Sequence, residues 1–370
     1  KTSKLLAKVK ISGGGRCNVT HHCFQPTALS AAYPRGQKLL KQLFRTFGAQ
    51  DTVAWFAARG VQLHTEADGR MFPLSNSSQT IISCFLNEAQ RLGIHILTGK
   101  GVQGLERLPD GRYRLKLEQE EILADRVLIT TGGAPKEEAY RWLEALGHSI
   151  EKPVPSLFTF NIPDKALHQL AGIAVPQASV RIETTKLVYE GPLLITHWGL
   201  SGPAILKLSA FGARWIQQQN YHFAIQLRWV TVAEEEALRQ QLQRYGLANP
   251  KQKVHKYPLF DLPSRLWVHL CQKAGIGEEE RWLELGKKSL NRLLEVLYRD
   301  RHTVAGKTTF KEEFVTCGGI RLSSINPQTM ESRVLPGVFF AGEVLDIDGI
   351  TGGFNFQAAW TTAWIAGSHV

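Results

Sequence analysis

Apolar residues recur at helical spacing over residues 37–60 (QKLLKQLFRTFGAQDTVAWFAARG), and Gly48 divides that stretch into two helices. The second is expected to begin near Asp51, a plausible N-terminal cap, and to stop at Gly60. Residues 78–92 (SQTIISCFLNEAQRL) predict a further helix between Ser75-Asn76-Ser77 and Gly93, with Cys84 at an apolar position suited to the core. Short strands are expected at 61–64 and 94–97, and a hairpin at 102–108 and 112–117 around Pro109-Asp110-Gly111. Residues 122–130 (ILADRVLIT) read as one buried strand that empties into Thr131-Gly132-Gly133.

The rhythm changes near residue 153. Pro153, Pro155 and Pro163 interrupt helical periodicity, and short strands are expected at 156–161, 177–183, 185–189 and 193–197. Residues 233–256 and 264–300 turn helical, and β structure is expected to resume near residue 310. The last sixty or so residues return to an α/β pattern: an apolar strand at 335–341, then Gly342-Glu343, then Asp346-Ile347-Asp348-Gly349-Ile350-Thr351-Gly352-Gly353-Phe354-Asn355, and a helix over 357–367. The fold class is therefore α/β at both ends with a β-rich, barrel-like middle and a small helical insertion. The expected division is 1–152 with 318–370, 153–232 with 301–317, and 233–300.

Composition narrows the class. The 370 residues are 43% hydrophobic and 21% charged, which is globular and long enough for two or three domains. Five scattered cysteines do not form a disulfide framework and point to a reducing, cytoplasmic setting. No apolar run reaches membrane-spanning length, so no membrane partner is expected. The net charge is +11, and residues 1–50 hold nine Lys or Arg and no Asp or Glu. Such a segment suits phosphates, on a nucleotide or a nucleic acid backbone, although a solvated basic surface accounts for it equally well. Nothing in the chain bears on oligomeric state.

Three separated glycine turns, at 13–15, 132–133 and 352–353, are the strongest chemical signal. A strand ending in glycines, followed by a helix N-terminus, offers backbone N–H groups and a dipole to an electron-rich ligand. One long ligand with phosphates and a planar ring would explain all three, and a flavin dinucleotide fits. Thr351-Gly352-Gly353 would then face the negative side of a reduced ring, while Glu343 or Asp346 would hold ribityl hydroxyls or lie near the pyrophosphate. Tight turns without a ligand are the plainer alternative.

Cys17-Asn18-Val19-Thr20-His21-His22-Cys23 places four metal-type side chains within seven residues, but the spacing is not that of a zinc knuckle and no metal is expected. Cys17, beside Arg16, is a candidate thiol of lowered pKa or a proton donor beside a ring, with packing as the simpler role. His197, in Thr196-His197-Trp198-Gly199, is a candidate for orienting a substrate or moving a proton, with a structural histidine as the alternative. Ser201 lacks the surroundings of a hydrolase nucleophile. A nucleic-acid-binding module without catalysis is the non-enzyme reading, and it leaves the glycine turns unexplained.

Several stretches together resemble a known family. They are Lys10-Ile11-Ser12-Gly13-Gly14-Gly15-Arg16-Cys17-Asn18-Val19-Thr20, Asp68-Gly69-Arg70-Met71-Phe72-Pro73, Thr131-Gly132-Gly133, Thr196-His197-Trp198-Gly199-Leu200-Ser201-Gly202-Pro203, Cys317-Gly318-Gly319-Ile320 and the tail from Ala341 to Gln357. The chain resembles the HI0933-like bacterial flavoproteins, FAD-dependent oxidoreductases of the glutathione-reductase-like group. The resemblance spans the whole chain and implies a discontinuous Rossmann-like FAD-binding domain built from both ends. It implies FAD as cofactor, with NADPH or NADH as the electron donor. It places the cofactor against Ser12, Gly13, Gly14, Gly15, Arg16, Cys17 and Asn18, against Thr131, Gly132 and Gly133, and against Gly342, Glu343, Asp346, Gly349, Thr351, Gly352, Gly353, Phe354 and Asn355. The family's opening strand and G-x-G-x-x-G turn are expected to precede Lys1. Relatives act in aminoacetone oxidation, in bile-acid reduction and in reducing a uridine of ribosomal RNA. The resemblance therefore implies either an RNA or a small-molecule substrate, with Cys17 or His197 as the proton donor.

Overall fold

A computed structural model describes residues 3–308 and 315–370. The chain forms two compact units, Lys1–Ser156 with Lys311–Val370, and Leu157–Phe310.

In the first unit, helices Gln37–Leu43 and Ala49–Ala57 flank Gly48, whose N–H donates to Asp51 Oδ2 at 2.7 Å. Asp51 thus caps from within the first turn, where its charge also meets the positive end of the helix dipole. Helix Ser78–Arg91 starts at Ser77, whose Oγ accepts from Gln79 N at 3.3 Å. Its Ile81, Ile82 and Cys84 pack into a core with Val9, Cys17, Val19, Phe56 and Val61. Each large apolar side chain so buried contributes about 1.5–3 kcal/mol.

The stretch 122–130 is not one buried strand. Glu121–Ala124 closes a three-stranded antiparallel sheet with Gly104–Arg107 and Tyr113–Lys116, and Leu123 there is 51% exposed. Only Val127–Ile129 continues inward, pairing in parallel with Val338–Phe340. Asp125 and Arg126 force the break, because neither charge can enter a two-sided buried strand without a partner. Residues 94–97 pair with no strand among the described residues, and Ile94, Ile96 and Leu97 are exposed, so the strand expected there does not form. Ile150–Ser156 pairs antiparallel with Val315–Ile320.

The second unit carries a seven-stranded antiparallel sheet in the order Asp300–Ala305, His222–Arg228, Ala174–Ile182, Val188–Thr196, Gly199–Ser201, Thr159–Asn161, Lys307–Thr308. Its two end strands are consecutive in the chain, joined by Gly306, which donates to Tyr221 O (2.8 Å) and accepts from Asn161 N (3.0 Å). The sheet therefore curls strongly, but its strand order leaves it open, with no closed barrel among the described residues. The two strands expected at 185–189 and 193–197 are one, Val188–Thr196, because the chain turns earlier, at Thr184 with φ +63°. Helices Pro203–Gln218, Glu235–Ala248, Ser264–Lys273 and Lys287–Arg299 contribute to this unit's core, which includes Trp229, Trp267, Leu270, Leu293 and Leu297. The resumption of β structure expected near residue 310 lies outside the described residues. No helix among the described residues is long and apolar enough to cross a membrane.

Candidate cofactor site

The parallel pair Val127–Ile129 and Val338–Phe340 runs in register, Val338 opposite Val127 and Phe340 opposite Ile129. Both strands therefore end at the same edge, and both end in glycine. Gly132 and Gly342 each have φ +76°, which favours glycine. Gly133 has no room for a side chain: a Cβ would lie 2.6 Å from Thr316 Oγ1 and 2.8 Å from the Glu343 side chain. Glu343 accepts from Thr316 N (2.9 Å) and from Lys8 Nζ (2.6 Å), and Gly342 N donates to Thr362 Oγ1 at 2.9 Å. The Lys8 ammonium is well exposed, so that ion pair aims Glu343 more than it stabilises the fold. Thr316 Oγ1 is buried here without a hydrogen-bond partner. A hydroxyl so placed costs about 1–3 kcal/mol unless something bonds to it, which a polyhydroxylated ligand would do.

The second glycine turn forms the end of the segment Ala7–Gly15, whose backbone leaves helical dihedrals at Ser12 (ψ 146°), Gly13 and Gly14. Gly13, Gly14 and Gly15 all have positive φ. At Gly14 a Cβ would meet nothing within 4 Å, so conformation and not crowding selects glycine, and the backbone lies open to a neighbour.

The third turn is bolted to the second. With the Asn18 amide nitrogen donating to Thr20 O (3.1 Å), its oxygen accepts from Gly353 N at 3.0 Å. Gly353, at φ +92°, heads the helix Phe354–Gly367, and a Cβ on it would fall 2.5 Å from Thr20 O. Behind this junction Gln357 Oε1 accepts from Thr20 Oγ1 (2.5 Å) and Thr52 Oγ1 (3.0 Å), and Trp360 Nε1 donates to Val19 O (2.9 Å). The His21 ring stacks on Phe354 at 4.6 Å. Gly349 and Asn355 exchange two hydrogen bonds (2.8 and 2.9 Å), and Tyr33 Oη donates to Phe354 O at 2.6 Å. Arg35 grips the fully buried Asp348 with two nitrogens, and Ser156 Oγ donates to the same carboxylate at 2.8 Å. These bonds fix the loop 346–353 and hold a 14-residue helix with its positive end at Gly353.

All three glycine turns thus belong to one unit, together with Glu343, the half-buried Asp346, Gly349, Thr351 and Asn355. His197 is not part of that unit. It belongs to the other unit, exposed in the turn between Val188–Thr196 and Gly199–Ser201. Cys17 corrects the expectation of a lowered pKa. It is fully buried, and burial pushes its thiol up to about 11 against a weaker opposing bond from Ser12. Arg16 instead pairs with Glu66 (2.6 Å) and lies over the Phe72 ring. His21 and His22 diverge, His21 onto Phe354 and His22 onto Phe24, and among the described residues no cluster of His, Cys, Asp or Glu could hold a metal.

Sequence reasoning missed Arg35, Asp348, Thr316 and Gln357. Arg35 was one of nine cations in an acid-free segment, and nothing local marks its partner 313 residues away. Residues 99–104 (GKGVQG) spell the letters of a dinucleotide fingerprint, but they lead into strand Gly104–Arg107 and no helix, so the context required of that motif is missing.

Comparison with known proteins agrees with this architecture. The family model described as the HI0933-like protein Rossmann domain matches residues 1–369. A ribosomal RNA dihydrouridine synthase of Haemophilus influenzae is 27% identical, covering 98% of this chain and 88% of its own length. The protein of the same description from Escherichia coli is 29% identical, over 96% of this chain and 87% of its own. A 3-dehydro-bile acid delta(4,6)-reductase of Clostridium scindens is 23% identical, over 97% and 88%. A match over nearly the whole chain, together with paired parallel strands that run out into glycine turns, places the protein in the HI0933-like family, as an α/β oxidoreductase of Rossmann type.

Proposed function

We propose that the chain is an FAD-dependent oxidoreductase that takes hydride from NADPH or NADH and reduces a uracil ring in ribosomal RNA to the dihydro form. The observation that carries the cofactor is the common edge of the two parallel strands, where Gly132, Gly133, Gly342 and the orphaned Thr316 hydroxyl converge beside Glu343. The donor set fits FAD. Residues 12–18 offer an open glycine backbone, 131–133 a close approach, and Glu343 or Asp346 a carboxylate for ribityl or ribose hydroxyls. Gly349 and Thr351 to Asn355 would supply the positive end of the last helix to the electron-rich part of the cofactor. When bound, the flavin supplies a two-electron relay between the hydride donor and the substrate.

The chain's own contribution is to bind, to orient and to deliver a proton. Reduction of the uracil double bond adds a hydride to one carbon and a proton to the other, and Cys17 and His197 are the groups proposed for that proton. The pKa of Cys17 keeps it protonated at neutral pH. Five free thiols suit the cytoplasmic setting included in this reading. The RNA substrate draws support from two relatives named for that reaction. The reductase relative of comparable coverage favours a second reading, reduction of a small molecule.

The test is anaerobic mixing of the FAD-loaded protein with NADPH or NADH, followed by unmodified ribosomal RNA. Loss of oxidised-flavin absorbance, then its return with loss of a uracil double bond, is the expected result. Reduction by the donor with no response to RNA, but turnover of an unsaturated steroid, would replace the first reading with the second.

A further inference from the structure

We propose that the groove between helix Gln37–Leu43 and the segment 322–333 holds the phosphodiester backbone of the RNA substrate. The proposal rests on the RNA reading above and adds where the polyanion docks. A cavity of about 260 Å³ opens here, and Lys38, Gln42, Ser323 and Arg333 supply its polar lining, with no Asp or Glu. Arg333 Nε donates to Ile325 O at 3.1 Å, which fixes the guanidinium at the groove wall.

The helix extends this charge. Lys38, Lys41 and Arg45 recur three and four residues apart, Arg45 in the turn that closes the helix, and therefore share one face. Three other cations of the acid-free segment are used internally: Lys8 with Glu343, Arg16 with Glu66 and Arg35 with Asp348. Lys38, Lys41 and Arg45 have no carboxylate partner among the described residues, and Lys38 and Arg45 are exposed. A row of cations one helical turn apart suits a repeating anion better than a single carboxylate. The amide of Gln42 and hydroxyl of Ser323 suit phosphate oxygens and ribose 2′-hydroxyls. No aromatic ring lines the groove, so it would grip backbone and not stack bases.

The experiment titrates the full-length, FAD-loaded protein with a fluorescein-labelled, unmodified ribosomal RNA transcript over a range of salt. Lys38→Glu with Arg333→Glu is expected to weaken binding roughly tenfold and to lower the salt slope by about 0.7 for each phosphate no longer neutralised. Arg107→Glu with Lys136→Glu, the same change of net charge outside the groove lining, is expected to change affinity less than about twofold. If the charge reversal unfolds the protein, Lys38→Gln with Arg333→Gln serves, with the same direction expected. Salt-dependent RNA binding that the groove variants leave equal to the control pair overturns the proposal while the RNA reading stands. Absence of salt-dependent RNA binding by the unaltered protein overturns both.

Discussion

Arg35 and Asp348, 313 residues apart in sequence, meet in a two-nitrogen hydrogen bond inside the first unit, the carboxylate wholly buried and the Arg35 side chain 9% exposed. Burial raises the Asp348 carboxyl above its ordinary value, while the guanidinium and Ser156 act against that rise. The pair ties the loop ahead of the last helix to the N-terminal half of the unit. Arg35→Ala should cost about 3–5 kcal/mol in chemical unfolding, because it strands a buried carboxylate. Replacing both partners, Arg35→Met with Asp348→Leu, should cost markedly less than the single change. Equal destabilisation by the single and double changes would mean that the ion pair is not what holds the loop.

Gly14 and Gly353 separate a fold requirement from a cofactor requirement. Gly353→Ala places a Cβ against the Thr20 carbonyl at φ +92° and should lower the melting temperature sharply. Gly14→Ala meets no atom, so strain of about 1–2 kcal/mol is its whole cost to the fold. The folded Gly14→Ala protein should nonetheless bind FAD more weakly in a fluorescence titration. Unchanged affinity removes residues 12–18 from the cofactor site.

Of the five thiols, Cys17, Cys84, Cys271 and Cys317 are buried and Cys23 is half-buried. Burial raises Cys17 to about 11 and Cys271 to about 12, so neither is a thiolate near neutrality. A colorimetric thiol reagent should react with about one cysteine in the native protein and with all five after denaturation. Fast native modification mapped to Cys17 would restore it as a reactive thiol.

Asp300 sets an acid limit for the second unit. Burial pushes its carboxyl up, but bonds from His302 and Lys273 outweigh that and hold it below the usual carboxylate range. Trp229 Nε1 also donates to it at 2.9 Å. The unfolded chain then binds more protons, so this contribution to stability is complete above the ordinary Asp value of 3.8 and is lost as pH falls through the lower folded value. Asp300→Asn should be destabilised at neutral pH and should show a flatter acid limb in melting experiments. Parallel acid limbs for both proteins would assign the acid lability elsewhere.

The two proposed proton donors separate by substitution. The donor's replacement, His197→Gln or Cys17→Ala, should leave flavin reduction by NAD(P)H intact and slow reoxidation by substrate about 100-fold or more. With Cys17 the loss should leave the pH profile unchanged below pH 9, because burial pushes its thiol up to about 11. If both variants keep the full reoxidation rate, the proton comes from another source.

Local features were legible along the chain. The breaker at Gly48, a helix starting after Ser75-Asn76-Ser77, the turn at 109–111 and the three glycine turns follow from residues within a few positions of one another. Tertiary structure decided the rest. It split 122–130 between two sheets, left 94–97 without a ladder, buried Cys17 so that desolvation raises its thiol, turned Arg16 to Glu66, and selected Arg35 as the partner of Asp348. Those outcomes depend on which distant group supplies a hydrogen bond, a charge or a water-excluding surface. Spacing along the chain carries the local torsional and amphipathic preferences, whereas desolvation and pairing are set by neighbours that only folding brings within reach.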